Sequence, residues 1–293
     1  MEGRIIKALA GFYYVLDSQD RQWSCRARGV FKNKGIQPLV GDFVHFEPVS
    51  DQEGWITALK PRKNSLQRPP IANVDQALLV FSVEEPPFSP LLLDRMLVVI
   101  EHSGLVPLLC FTKVDLLKDE NWMESQYQIY RSIGYELVQT STVTKVGFER
   151  LLSLLEGKIT VLAGPSGAGK STLLNTICPE ARQETGTVSK KLGRGRHTTR
   201  HVELLKLPRS GLVADTPGFS QLDFIHVTKE ELGHTFPELR RAEKECKFRG
   251  CLHRNEPDCA VKKLVDEGRI ASQRYEHYLQ FLSEIEESRT RKR

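Results

Sequence analysis

Gly164-Pro165-Ser166-Gly167-Ala168-Gly169-Lys170-Ser171-Thr172 is the stretch on which the fold turns. It fits the pattern G-x-x-x-x-G-K-[ST] at every position. Lys158 to Ala163, just upstream, is a short apolar run that reads as a buried strand, and Ser171 to Ile177 reads as the first turns of a helix. A strand that feeds a glycine-rich loop and opens a helix makes a cradle for phosphate. Backbone N–H groups and the positive end of the helix dipole face the anion. Lys170 would reach the outer phosphates, and the Ser171 hydroxyl would ligate Mg²⁺. A glycine-rich turn without a ligand is the competing interpretation, and the complete pattern in this context argues against it.

Strand and helix signals alternate upstream of this loop. Asp75–Ser82, Val106–Phe111 and Glu136–Thr140 read as strands, and Leu91–His102, Trp122–Ile133 and Phe148–Leu155 as helices. Such alternation implies a parallel sheet covered on both faces. Ligand loops in such a sheet leave the carboxyl ends of strands. Two loops gain meaning from that rule. Thr112-Lys113-Val114-Asp115 resembles the guanine-reading N-K-x-D motif of GTPases, and Ser141-Thr142 opens a loop that resembles their S-A-K motif. An aspartate at position 115 can accept from the guanine N1–H and from its exocyclic amine. Adenine lacks that donor pair and would strand a buried carboxylate, so GTP and GDP are expected as ligands. Lys113 would lie along the base. Thr112 departs from the usual asparagine: it keeps a hydrogen-bonding group and loses the amide.

Downstream, Lys190 to Arg200 is basic, glycine-bearing and without periodicity. A threonine there could close on Mg²⁺ and the γ-phosphate. Thr199 is taken for the metal, with Thr198 as the open alternative. Strand signals at Val202–Leu207 and Leu212–Ala214 lead to Asp215-Thr216-Pro217-Gly218, a D-x-x-G sequence. Asp215 would hold Mg²⁺ through water, and the Gly218 N–H would sense the γ-phosphate. Phe219 follows where many GTPases carry a water-orienting glutamine, so unassisted turnover should be slow. His197 is a candidate for the missing group, and a solvated loop histidine is the equal alternative. The motifs run base, S-x, phosphate loop, switch, D-x-x-G. This is the ordinary GTPase set in circularly permuted order.

The flanks differ in kind. Residues 1 to about 63 carry five short strand candidates, Arg4–Ala8, Phe12–Leu16, Trp23–Ala27, Asp42–Glu47 and Trp55–Leu59, which suit a small OB-type barrel. Arg26, Arg28, Lys32 and Lys34 with Trp23 and Phe31 could make an RNA-binding face there, or a plain solvated surface over core aromatics. Lys60 to Pro70 reads as a linker. In the last third, Cys246, Cys251, His253 and Cys259 place three thiolates and one imidazole within fourteen residues, a set that suits a closed, structural Zn²⁺ site. Leu264 to Ile285 reads as a helix, with Tyr275, Tyr278, Leu279, Leu282 and Ile285 on a core-facing side. The chain has 293 residues and a formal charge of +5, with no span long enough for a bilayer and no signal-peptide pattern, so a cytoplasmic protein of several domains is expected.

Taken together, these motifs resemble the RsgA (YjeQ/YloQ) family of circularly permuted GTPases, over essentially the whole chain. The resemblance implies an OB-fold barrel at 1–63, an α/β permuted P-loop GTPase domain at 64–223, and a small α-rich zinc-binding domain with a helical tail at 224–293. It matches the family's zinc ligands residue for residue. It implies a monomer that hydrolyses GTP, stimulated by the small ribosomal subunit, that contacts this subunit's rRNA and that assists its late maturation. Two other readings remain at this level. One is an RNA-binding assembly factor in which GTP is mainly a structural ligand, which Phe219 keeps alive. The other is a P-loop kinase for a small molecule, against which the complete guanine and switch motifs argue.

Overall fold

The computed structural model describes residues 1–29, 31, 35–67, 69–179, 202–215, 224 and 227–290. The chain falls into two compact units. The first holds Met1–Leu78, Thr142–Ala163 and Gly169–Ser220, and the second Leu79–Ser141, Gly164–Ala168 and Gln221–Arg293.

The first unit begins with a closed barrel of β1 (Glu2–Leu9), β2 (Phe12–Asp17), β3 (Gln22–Ala27), β4 (Phe43–Ser50) and β5 (Glu53–Leu59), in the order β1-β2-β3-β5-β4. The period-two alternation of the strands sends Ile5, Val15, Cys25, Val44, Phe46 and Ile56 inward, all but fully buried. Trp23 and Phe31, expected as candidates for an RNA face, are core residues as well, 9% and 7% exposed. The Trp23 indole donates to the buried Asp17 carboxylate at 3.0 Å. The stretch expected to be a linker is tied down. Arg62 makes two bonds to the fully buried Asp42, at 2.7 and 2.8 Å, and β6 (Ser65–Gln67) pairs antiparallel with β7 (Pro70–Ala72).

Next comes β8 (Gln76–Ser82), a fully buried strand. On the side of the first unit the strand order is β8-β11-β13-β12, with β11 at Ile159–Ala163, β12 at Leu204–Lys206 and β13 at Leu212–Asp215. On the side of the second it is β10-β9-β8, with β9 at Val106–Thr112 and β10 at Glu136–Gln139. β9 pairs parallel with β10 and β11 parallel with β13, while β12 runs antiparallel to β13. β8, β11 and all of β9 after Val106 are buried, as their continuous apolar sequence requires of strands covered on both faces. Helices α1 (Pro90–His102), α2 (Glu120–Ile133), α3 (Phe148–Leu155) and α4 (Lys170–Ile177) stand close to their expected positions. Ser89 and Asp119 start α1 and α2 by accepting from the third backbone N–H onward, and Gly134 at φ 107° ends α2.

The second unit closes with α5 (Lys229–Leu232), α6 (Pro237–Ala242), α7 (Ala260–Asp266) and α8 (Ser272–Thr290). The single helix expected from Leu264 is therefore two. Gly268 takes φ 68°, and the N–H groups of Arg269 and Ile270 bond back to the Leu264 carbonyl, ending α7 before α8 begins. The expected core face of α8 holds, with Tyr278, Leu282 and Ile285 buried against Leu232, Phe236, Leu239 and Val261. Among them lies a knot of charge. Arg274, 1% exposed, donates to Asp94 at 2.5 Å and to Glu238 at 2.8 Å, and Tyr130 and His277 also hold Asp94, at 2.9 and 2.6 Å. No described helix is long and apolar enough to cross a membrane.

Candidate nucleotide site and metal centre

The phosphate loop leaves the end of β11. Its three glycines, Gly164, Gly167 and Gly169, have φ of 141°, 79° and 87°. At Gly164 the need is doubled, because an added Cβ would lie 2.1 Å from the Val80 carbonyl oxygen. Gly169 caps α4, and Lys170 is its first residue. The N-terminus of this eight-residue helix carries the positive end of its dipole, which favours an anion. Ser166, Gly167, Ser171 and Thr172 are exposed, Pro165, Gly169 and Lys170 half-buried, and Gly164 and Ala168 buried.

The two motifs expected to read the base are bonded to each other and to this loop. Thr112 ends β9 with its hydroxyl donating to the Ala168 carbonyl at 2.6 Å. The hydroxyl that replaces the usual amide thus braces the phosphate loop. Lys113 takes the left-handed φ of 58°, and its ammonium donates to the carbonyls of Gly167, at 3.2 Å, and Glu85. Val114 and Asp115 form a tight 3-10 turn. The Asp115 carboxylate accepts from the Ser141 hydroxyl, and the Val114 N–H reaches the Thr140 carbonyl at 3.4 Å. Thr142, half-buried, follows directly in the turn after β10. Thr112, Lys113, Asp115, Ser141, Gly167 and Ala168 are thereby brought into one bonded frame.

The segment after β8 also belongs to this frame, although the sequence alone did not single it out. Glu85 supplies a carbonyl to Lys113, and a Cβ on Gly167 would meet Pro86 at 3.3 Å. Glu-Glu-Pro-Pro reads as an ordinary turn. Its position at the carboxyl end of a parallel strand was the available signal.

Asp215 is the last residue of β13 and lies in register with Leu162 on β11, two residues before the phosphate loop. The Ser171 hydroxyl, exposed on the first turn of α4, is a hard oxygen donor of the kind Mg²⁺ takes. His197, Thr198, Thr199, Gly218 and Phe219 lie outside the described residues.

The second cluster is complete. One ligand atom from each of Cys246, Cys251, His253 and Cys259 lies within 4.8 Å of all the others. The His253 Nδ1 atom stands 3.6 Å from the Cys246 sulfur and 3.5 Å from that of Cys259. His253 is 1% exposed and held at φ 54°. Tyr275 donates to its carbonyl at 2.6 Å and Tyr278 to that of Leu252 at 2.7 Å. The Glu256 carboxylate accepts three backbone N–H groups, from Leu252, Arg254 and Asn255, at 2.8, 2.9 and 3.1 Å. Burial raises the Cys251 thiol to about 12, so a cation that takes it as thiolate must displace a proton. Three soft sulfurs and one imidazole, converging and backed by a second layer of hydrogen bonds, fit a tetrahedral cation such as Zn²⁺. Much of the surrounding basic surface is paired: Lys247 with Asp258, Arg254 with Glu286, and Lys263 and Arg269 with Glu267.

Fold and site together define a P-loop GTP hydrolase whose motifs run in circularly permuted order. The RsgA GTPase domain matches residues 59–225 and the RsgA N-terminal domain residues 2–56. The chain belongs to the RsgA GTPase family. A relative in Geobacillus sp. (strain WCH70), named small ribosomal subunit biogenesis GTPase RsgA, is 54% identical over 99% of both chains. The crystal structure of YloQ, described as a circularly permuted GTPase, superimposes with a TM-score of 0.85 at 46% identity, over 98% of this chain and 95% of that one. YjeQ from Thermotoga maritima gives 0.85 at 35% identity, over 97% and 98%.

Proposed function

We propose that this GTPase acts on the small ribosomal subunit in the cytoplasm, as a monomer, assisting the subunit's late maturation and contacting its rRNA. The observation that carries the reading is the guanine frame, Thr112 to Asp115 bonded to Ser141 and to the phosphate loop, in a chain 54% identical end to end to a protein named for small-subunit biogenesis. In this reading Asp115 accepts from the guanine edge, Lys113 flanks the base, and the Ser141–Thr142 backbone meets the guanine oxygen. Residues 164–172 wrap the phosphates. Ser171, Asp215 and Thr199 hold Mg²⁺, which supplies charge neutralisation at the phosphates when bound. Gly218 senses the γ-phosphate. His197 positions water or stabilises developing charge in place of a glutamine, because Phe219 has no polar atom to offer. Cys246, Cys251, His253 and Cys259 hold Zn²⁺ as a structural ion. The barrel at 1–63, the GTPase domain at 64–223 and the zinc domain at 224–293 serve as the working divisions.

GTP hydrolysis by the purified chain, alone and with isolated small subunits, tests the reading, with ATP and large subunits as controls. Slow GTP turnover that rises many-fold only with small subunits is expected; a partner that completes a GTPase site contributes up to roughly 10⁵ in rate. Tight GTP binding with unstimulated turnover would instead select the factor in which GTP is a structural ligand, the alternative that Phe219 keeps alive. Hydrolysis stimulated equally by large subunits would refute the partner assignment.

A further inference from the structure

The turn that carries Asp115 has little packing to hold it. Val114–Leu116 is a 3-10 turn with no buried residue, and Leu116 is exposed. A segment without buried contacts opens locally at small cost unless polar ties fix it. To read guanine, Asp115 has to set its two carboxylate oxygens on two donors of one flat base edge. The orientation of this turn therefore decides how well the base is read.

Both flanks of the turn are tied to one segment at the carboxyl end of β8, residues 82–88. On the near flank, the Lys113 ammonium donates to the Glu85 carbonyl, and the Val83 N–H donates to the Thr112 carbonyl at 3.2 Å. On the far flank, the Lys118 backbone N–H donates to the Glu84 carboxylate at 3.2 Å. The segment is itself well anchored. Val83 and Phe88 are buried, and the Phe88 N–H returns to the Val83 carbonyl at 3.3 Å. The buried Ser82 hydroxyl accepts from the Glu85 N–H at 3.1 Å. Phe88 packs edge-on against Phe81 and Phe111, with ring centres 5.8 and 5.1 Å away. Glu84 thus sits between two fixed residues and holds a backbone N–H with an ionised acceptor, the stronger kind of hydrogen bond. Its carboxylate also lies 3.8 Å from the Lys118 ammonium, but that side chain is 82% exposed, and such a pair contributes little.

We propose that Glu84 is a positioning residue for guanine recognition. By holding the Lys118 N–H it fixes the turn so that the Asp115 carboxylate meets both the N1–H and the exocyclic amine. It acts through Asp115 rather than on the nucleotide. The proposal rests on the reading of Asp115 as the guanine acceptor and deepens it. Hypoxanthine keeps the N1–H of guanine and lacks its amine, so the ratio of GDP to IDP affinity reports the second of those two bonds.

The test measures GDP and IDP affinity of the full chain, with turnover at saturating GTP alongside. The parent should prefer GDP about ten-fold or more, as expected for a bond to a charged acceptor. Glu84→Ala should narrow that preference about five-fold, with IDP affinity and kcat near the parent's. Glu84→Gln, which keeps an acceptor oxygen, should restore most of it. Lys118→Ala keeps the backbone N–H and should hold the parent ratio. A parent ratio in Glu84→Ala, or an equal loss of GDP and IDP affinity there, overturns the proposal. So does a narrowing in Lys118→Ala as large as in Glu84→Ala, since the ion pair would then carry the effect. Asp115→Ala separates this failure from that of the underlying reading. A ratio near one in Asp115→Ala, with the parent ratio in Glu84→Ala, removes Glu84 alone. A preference that survives Asp115→Ala, or its absence in the parent, removes the guanine reading and the proposal together.

Discussion

The barrel and the C-terminal residues 227–290 solve the same problem, a small core, by opposite means. In the barrel, strands of six to eight residues close on themselves, and the backbone pairs with itself all the way round. Its two buried carboxylates, Asp17 and Asp42, find partners within the barrel or just past its last strand. The C-terminal region has α5, α6 and α7 of only four to seven residues, too short to stand alone. Two of its core residues are the thiols Cys251 and Cys259, and the knot at Arg274 sits in the same core. The difference teaches that stability in one region is written in the ladder of the backbone, and in the other in a few polar contacts that must all be made.

The sharpest way to break the comparison is to remove the metal proposed for the Cys246, Cys251, His253 and Cys259 cluster. Chelation, or Cys251→Ser, should unfold the C-terminal region, at a cost on the order of 10 kcal/mol for a structural zinc. Amide exchange should rise across α5 to α7 while β1 to β5 stay protected. Equal loss in the barrel would erase the distinction.

Next in size is Arg274→Met, which leaves Asp94 and Glu238 buried without their cation. A loss of about 3–5 kcal/mol in denaturant unfolding is expected. Replacing all three residues with apolar ones of similar volume should restore most of it.

Acid offers a finer contrast, because each region pins a loop with a carboxylate. Burial pushes Asp17 up, but bonds from Trp23, Gln19 and Arg21 outweigh it and hold its carboxyl at about 2. Glu256 is held below the usual carboxylate range in the same way, by backbone N–H groups against partial burial. A carboxyl depressed in the fold stabilises it above its unfolded value and loses that contribution as pH falls through the folded one. Asp17 should therefore support the barrel down to pH 4 or so and release it toward pH 2. Asp17→Asn should remove that acid limb from the barrel's unfolding curve and leave the C-terminal region's titration unchanged.

The smallest expected effect is Tyr278→Phe, which deletes one bond to the Leu252 carbonyl. It should lower stability by about 1 kcal/mol. Metal-dependent folding monitored by circular dichroism should show it as a modestly higher metal concentration at the folding midpoint.

Much of this was legible in the chain itself. The phosphate loop, T-K-x-D and the cysteine spacing are short motifs whose chemistry is local, so linear order suffices to read them. Strand positions followed from alternation. Which aromatic residues of the barrel face outward did not, because inside and outside differ only in parity, and an aromatic residue suits either. Register alone places Trp23 within and Trp55 without. The break between α7 and α8 hung on the left-handed turn at Gly268, in a stretch whose apolar spacing runs on past it. Arg274 passed for a solvated cation. Its place one helical turn before Tyr278, on the apolar side, was the signal that it is buried.

The knot at Arg274 also has a history implied in it. Asp94, Glu238 and Arg274 come from helices far apart in sequence, and a change at any one strands the charge of the others. Lineages can therefore leave this arrangement only by passing through a poorly folding ancestor or by changing several positions at nearly the same time. Among descendants of a common parent, these sites should be inherited as a block, and they should covary wherever the block has been exchanged for an uncharged one.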